Sequence, residues 1–375
     1  MEKSCDFIYI LVTNEKREQG WAKVRGLDQY IWGLEMTSPT SSFKRLSLLD
    51  DLVARVVDGT ADTCAINVPN GVREVDLVIS GGGLRGYFVT GASVVLHNIL
   101  KREDIKVARY AGASCGAWCA AFIAMGMSTR TWVETFLLTQ KVCSENPKKT
   151  IHTAYRDTVI PWLYRSKGIP DDAYKRCSGR CFISITRLTP LPVNEIVSEF
   201  KDNNDLLNCL MGSSAIPYFT ESSLTGFFRG RRVLDGGITN NLPLFFDNSD
   251  RHQFVIRLSD VPITWTNMIT PSEQCIETMV LRGALQISDF FLRRKGHRPD
   301  SDYERDQKAF KKGIFHWYLN KKQPEPEDDA EILYEDHGLL LLRKHHVVRT
   351  LLSVCWIFVY QLFHFIFSCC CCKNS

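Results

Sequence analysis

The residues best suited to chemistry sit in two glycine-rich turns, Gly81-Gly82-Gly83-Leu84-Arg85-Gly86 and Gly112-Ala113-Ser114-Cys115-Gly116. In the second, Ser114 has a glycine two positions to either side, the G-x-S-x-G spacing of a nucleophile held on a sharp strand-to-helix turn. Gly112 and Gly116 let the backbone turn without a Cβ clash, and Ala111, Ala113 and Ala117 keep the crowded turn small. A helix opening at Ser114 sets its positive end beside an anion forming there. The pattern alone arises by chance about once in ten chains of this length, so its weight comes from the strand expected before it and the helix expected after.

The first turn fits two chemistries. As G-x-G-x-x-G it matches a dinucleotide fingerprint, which calls for an acid about twenty residues on, at the end of the following strand. Glu103 and Asp104 have the distance but precede that strand. As a donor loop, three consecutive glycines at a helix start leave backbone N–H groups bare, which suits the oxyanion of acyl transfer. The two turns explain each other under this second reading, so acyl hydrolysis is favoured over dinucleotide binding. A serine nucleophile also needs a base. His97 falls on the helix between the turns, His152 in the stretch after them and His252 just before a later strand, so no histidine has an evident place. Asp235 ends an apolar run and is followed by Gly236 and Gly237. A carboxylate on such a turn takes the hydroxyl proton directly if burial raises its pKa toward the working range. Asp-Gly is also an ordinary turn pair, so Asp235 alone fits both readings equally.

These side chains need elements to hold them. Leu77 to Ile79 and Val107 to Ala111 are short apolar runs that each lead into one of the turns, and together with the helical segments they make a βαβ unit. Downstream, 180–187 alternates as a third strand, 205–214 reads as a helix, 227–234 as a hairpin-like pair and 254–258 as a buried strand. That alternation predicts an α/β layered fold with a mostly parallel central sheet. Residues 128–178 carry helical patches at 132–140 and 155–164 and are either a lid over the site or peripheral helices. In the arm 1–71, residues 7–12 suit a strand and 46–57 an amphipathic helix, with no visible chemistry.

With these motifs in this order, the chain resembles the patatin-like phospholipases. Its Gly81–Gly86 loop is similar to their oxyanion loop, Gly112–Gly116 to their nucleophile motif and Asp235-Gly236-Gly237 to their Asp-Gly-Gly turn. Ser213-Ser214-Ala215-Ile216-Pro217-Tyr218-Phe219 and Asn241-Leu242-Pro243 resemble the segments that flank that turn, and the likeness covers about residues 73–260. The resemblance implies a three-layer α/β fold in which Ser114 is the nucleophile, Asp235 the base, and the N–H groups of Gly82 and Gly83 the oxyanion donors. It implies hydrolysis of lipid acyl esters with no metal or other cofactor. The Ser114-to-Asp235 separation is short for the family, which implies a reduced lid and acyl groove. Two alternatives stay open: an α/β-hydrolase with a Ser–Asp–His triad through His252 or His297, and a non-catalytic lipid-binding protein that keeps the fold.

Composition sets the outer bounds. A chain of 375 residues, 45% hydrophobic and 23% charged, is an ordinary globular protein, and a net charge of +4 is too small to argue for nucleic acid. The acidic start and the short apolar run at 7–12 do not suit a secretory signal, so the 14 cysteines are expected as reduced thiols, with no set spaced for zinc. Residues 293–322 are basic and 325–336 acidic, blocks that usually form solvated faces. From Thr350 to Phe367 the chain is apolar, with Arg343, Lys344 and Arg349 before it and Cys369, Cys370, Cys371 and Cys372 after it. That length is at the threshold for a spanning helix, and cysteines beside it are candidates for S-acylation. The expected organisation is an arm (1–71), a patatin-like domain (72–262), a charged region (263–345), a hydrophobic membrane segment (346–368) and a Cys-rich tail (369–375). The expected location is an intracellular membrane, with membrane lipids as both substrate and surface.

Overall fold

A computed structural model describes residues 68–258 except 147 and 190, together with 261, 273–291 and 314–320. Residues 1–67 of the N-terminal arm, including the expected strand at 7–12 and helix at 46–57, the hydrophobic segment and Cys369 to Cys372 lie outside these residues. In chain order the elements are β1 (Glu74–Ile79), α1 (Gly86–Arg102), β2 (Lys106–Ala113), α2 (Cys115–Met125) and α3 (Thr129–Glu145). Then comes α4, a helical run of Ile151–Ala154, a π turn at Tyr155–Val159 and Ile160–Arg165. α5 (Ala173–Cys177), β3 (Cys181–Thr189), β4 (Leu191–Val197), α6 (Asn203–Ser213), β5 (Gly226–Phe228), β6 (Arg231–Leu234) and α7 (Gly237–Asn240) follow. β7 (His252–Ile256), α8 (Glu273–Phe291) and β8 (Phe315–Leu319) complete the set.

Local chemistry marks the boundaries. Ser128 caps α3 by accepting from the Thr131 N–H, Asp202 caps α6 by accepting from the Asp205 N–H, and Gly126 closes α2 in the left-handed conformation at φ 78°. β1 is buried along five of its six positions, as expected for a strand covered on both faces. Its one buried charge, Asp76, takes a two-pronged hydrogen bond from Arg109 of β2 (2.9 and 2.6 Å) and lies 3.3 Å from Arg251. Asp247 also pairs with Arg109, so the cluster ties three segments together at the base of the sheet.

The sheet runs β5-β6-β3-β2-β1-β7-β8, with β4 also paired to β3. β3, β2, β1 and β7 are mutually parallel, and every pairing outside them is antiparallel. One detail of register matters for the site. β4 holds one edge of β3 along its length, so β2 and β6 must share the other edge. β2 stops at Ala113 opposite Ser184, and β6 arrives from the opposite direction and stops at Leu234 opposite Thr186. The residues that follow, Ser114 and Asp235, are driven together head-on.

Helices α1, α2, α3 and α6 and the inner side of α8 pack one face of the sheet in a single core with Leu77, Ile79, Ile183, Phe254 and Trp317. Gly91 and Gly283 bring α1 and α8 into backbone contact. A Cβ on Gly91 would fall 1.7 Å from the Val280 carbonyl oxygen, and one on Gly283 1.9 Å from that of Phe88. The other face has a smaller cluster of Val78, Ala111, Val255, Leu242 and Phe245. Among the described residues, the expected third layer amounts to α7 and the 241–246 segment. Of the two readings of 128–178, packed helices fit the structure: Trp132, Phe136 and Tyr155 are buried and pack edge-on or tilted against Phe122, Tyr87 and Trp118. One further expectation changes. Phe315–Leu319, inside the basic block read as solvated, is a buried strand paired with β7, because its own aromatic residues complete the core.

Candidate active site

Ser114 adopts φ 54° and ψ −127°, a strained conformation for a residue with a Cβ. The two flanking glycines make that turn possible. A Cβ on Gly112 would meet the Gly116 carbonyl at 2.4 Å, and one on Gly116 would meet the Ile79 carbonyl oxygen at 2.3 Å. Ala117 N–H and Trp118 N–H donate to the Ser114 carbonyl, so α2 begins at the serine and points its amino end there. The Ser114 N–H donates to Ser213 Oγ at 2.9 Å.

Ser114 Oγ donates to Asp235 Oδ2 at 2.6 Å, with both residues buried. The other carboxylate oxygen accepts from the Gly237 N–H at 2.7 Å, which fixes the plane of the group. Burial pushes the Asp235 carboxyl up to about 6, against the lowering pull of the Ser114 and Gly237 hydrogen bonds. A strap from the end of α6 holds both partners. Asp235 N–H donates to the Ala215 carbonyl at 2.9 Å and Gly236 N–H to the Ser213 carbonyl at 2.8 Å, while Ser213 Oγ donates to the Ser184 carbonyl at 2.7 Å. From the sheet, Thr186 Oγ1 donates to the Asp235 carbonyl at 2.7 Å.

The first glycine turn lies against this pair. A Cβ on Gly81 would sit 3.2 Å from Ser114 Cβ, and one on Gly86 2.4 Å from Cys115 Sγ. Gly81 N–H is engaged with the Asn241 carbonyl at 3.1 Å, and Arg85 Nε donates to the Val261 carbonyl at 3.0 Å, which pins the loop from both ends. Among the described residues, the N–H groups of Gly82 and Gly83 meet no acceptor. Two bare donors beside a buried hydroxyl–carboxylate pair can receive an anion that forms on a substrate carbonyl.

The histidines divide. His252 opens β7 opposite Val75, at the amino end of the sheet, while Ser114 follows the carboxyl end of β2, so the two are separated by a strand length. His97 is exposed on α1, and His297 lies outside the described residues. Glu103 and Asp104 precede β2 at the end far from the Gly81–Gly86 loop, the wrong place for a ribose. His152, assigned no role from sequence, is buried between Glu221 (Nδ1 to Oε1, 2.8 Å) and Ser214 (Nε2 to Oγ, 3.1 Å). Trp118 Nε1 donates to the same Ser214 Oγ at 3.1 Å, and Arg156 donates to Glu221 at 2.8 Å. His152 and Arg156 outweigh the effect of burial and hold the Glu221 carboxyl below its ordinary range. This network supports the strap from behind without touching the dyad. Ser213 and Ser214 were visible in the sequence as part of the segment before Asp235; His152 and Glu221 carry no local signal because 69 residues separate them.

Residues 77–246 match the family model "Patatin-like phospholipase". The chain is 30% identical to human omega-hydroxyceramide transacylase over 44% of its own length and 31% of that protein. It is 28% identical to the mouse 1-acylglycerol-3-phosphate O-acyltransferase Pnpla3 over 46% of its length and 41% of that protein. It is 26% identical to human patatin-like phospholipase domain-containing protein 2 over 45% and 33% respectively. The matched region thus spans about a third of these relatives. The matched region is the one that carries both turns, the strap and Asp235, and over these residues the chain is similar to the patatin-like phospholipase family.

Proposed function

We propose that the protein hydrolyses acyl esters of lipids at a Ser114–Asp235 dyad while attached to a membrane. The observation that carries this reading is the 2.6 Å hydrogen bond from Ser114 Oγ to a buried carboxylate, beside two backbone donors that meet no acceptor among the described residues. Asp235 Oδ2 accepts the hydroxyl proton as Ser114 Oγ attacks the ester carbonyl. The N–H groups of Gly82 and Gly83 receive the oxyanion. Collapse breaks the ester C–O bond, and Asp235 returns the proton to the departing alcohol, leaving an acyl-serine. Water, deprotonated by Asp235 in its turn, adds to the acyl carbonyl and releases the fatty acid with Ser114 restored. An alcohol in place of that water gives acyl transfer, a branch favoured by the two relatives named as transacylase and acyltransferase.

The test is product analysis by mass spectrometry after incubation with a mixed lipid extract. Wild type releases fatty acids, or new esters if transfer dominates, and Ser114→Ala and Asp235→Asn release neither. Unchanged hydrolysis in either variant refutes the dyad, and failure of a fluorophosphonate probe to label Ser114 in folded protein favours the non-catalytic lipid-binding alternative. For attachment, the apolar run at 350–367 between basic residues and Cys369 to Cys372 is the support. Removing residues 347–375 is expected to move the protein from the membrane pellet to the supernatant.

A further inference from the structure

β6 runs against the parallel strands into Asp235, so the turn end of the β5–β6 hairpin lies beyond the carboxyl ends of β2 and β3. Its Arg229-Gly230 turn stands roughly 13–17 Å of strand from Asp235, on the side to which the Ser114 turn opens. The surface there is unusual. Phe227 is 63% exposed and Tyr218 and Leu224 each 49%. Tyr218 N–H donates to the Ser223 carbonyl at 3.3 Å, which folds the loop so that Tyr218 and Leu224 come from one tight turn leading into β5. Phe227 faces Arg232 across the hairpin, with the guanidinium 5.8 Å from the ring centre. Arg229 pairs with Asp205, whereas exposed Arg231 and Arg232 have no carboxylate partner among the described residues. Phe228, the next residue, is buried in the core, so strand alternation explains why Phe227 points outward but not why an outward position is a phenylalanine among arginines.

We infer that the β5–β6 hairpin and the 218–224 loop form a docking surface for a bilayer that carries anionic headgroups. The inference rests on the acyl-lipid reading above and adds a contact independent of the C-terminal segment. Aromatic and aliphatic side chains at a rim enter the boundary of headgroups and acyl chains, and guanidinium groups beside them pair with headgroup phosphates. Tyr218, Leu224 and Phe227 supply the first part, and Arg231 and Arg232 the charge complement. Docking at this end turns the Ser114 turn toward the lipid, so a substrate moves from bilayer to site over a short path.

Hydrogen–deuterium exchange of the full-length Ser114→Ala chain reads the surface directly. With vesicles of phosphatidylcholine and phosphatidylserine, exchange across 218–232 is expected to slow, and to slow less with phosphatidylcholine alone. In the Arg231→Glu/Arg232→Glu variant the serine-lipid dependence of that protection falls about fivefold for each arginine removed. In otherwise wild-type protein, Leu224→Ser/Phe227→Ser is expected to lose at least tenfold of its activity on vesicle esters and none on a soluble short-chain ester. Unchanged exchange at 218–232 in protein that still floats with the vesicles overturns the proposal. So does protection already present without vesicles in a chain that elutes as a dimer, which makes the patch a protein interface. If wild type cleaves neither ester, the catalytic reading fails, and the exchange result still decides the docking surface by itself.

Discussion

Replacing Asp235 with asparagine is expected to abolish activity and stabilise the fold, and the size of the second effect follows from the site. Burial raises the carboxyl from 3.8 in an unfolded chain to about 6 in the folded protein. The folded state therefore holds the Asp235 proton more tightly, and the stability this contributes is fully present below about pH 3.8 and lost as pH rises through 6. A difference of roughly two pKa units at 1.36 kcal/mol each amounts to about 3 kcal/mol of ionisation penalty at neutral pH. Asparagine does not ionise and escapes that penalty. The stability gap between Asp235→Asn and wild type should thus widen by about 3 kcal/mol between pH 4 and 7 and stay flat above. For a domain of this size that corresponds to a rise in Tm of roughly 6–12 °C. Denaturant unfolding at half-unit pH steps from 4 to 8 measures the gap, and the pH-dependent part is insensitive to whatever the amide does by its shape. Meanwhile kcat/KM should fall by about 10²–10⁴ through loss of the base. A gap that does not change with pH refutes the reasoning, because it means the carboxylate is not ionised at a cost.

The same carboxyl predicts that wild-type kcat/KM climbs with unit slope below about pH 6 and levels off above it; a profile flat from pH 4.5 to 8 speaks against Asp235 as base. Asp76→Asn takes the buried carboxylate from Arg109, which keeps Asp247, and from Arg251, which keeps Glu74, and should cost about 1–3 kcal/mol in denaturant unfolding, with the pH profile of activity unchanged. Gly283→Ala forces α8 away from the Phe88 carbonyl and should cost roughly 1–3 kcal/mol, read as a lower denaturation midpoint. Ser213→Ala strips the acceptor from the Ser114 N–H and should cost about 1–3 kcal/mol, with loss of kcat at nearly constant KM if the elbow is displaced.

The sequence exposed the site better than the frame around it, for a physical reason. Tight backbone turns need glycine and alanine at fixed spacing, so both loops and the Asp-Gly-Gly turn were readable one residue at a time. β1 and β2 were readable because the ends that lead into the turns are buried and made of apolar or small residues, Leu77 to Ile79 and Tyr110 to Ala113. β4 was missed because Leu191–Val197 includes Pro192, Asn194 and Glu195 and flanks the parallel core as an antiparallel addition. β8 was missed because a five-residue strand, three of its residues buried, sits in a window whose average is set by lysine and arginine. His152 was dismissed since nothing near it in sequence announces Glu221, and only the fold brings the pair together.

Nothing in the motifs themselves says that Ser114 and Asp235 must meet; the topology does. Had β6 joined the outer edge of β4, the Asp235 turn would lie two strands away from the nucleophile. Instead β2 and β6 share one edge of β3 from opposite ends, with Ile185 the single position between their last partners. The dyad is therefore set by strand register. A one-residue slip of β6 along β3 would turn every β6 side chain to the other face and carry Asp235 away with them. That is the work of the strap: Ala215 and Ser213 take the N–H groups of Asp235 and Gly236, and Ser213 in turn bonds Ser184 of β3. Register, strap and elbow converge on one 2.6 Å contact. Under the dyad proposed above, a carboxylate held this way needs no third residue to orient it, since the Gly237 N–H already fixes its plane.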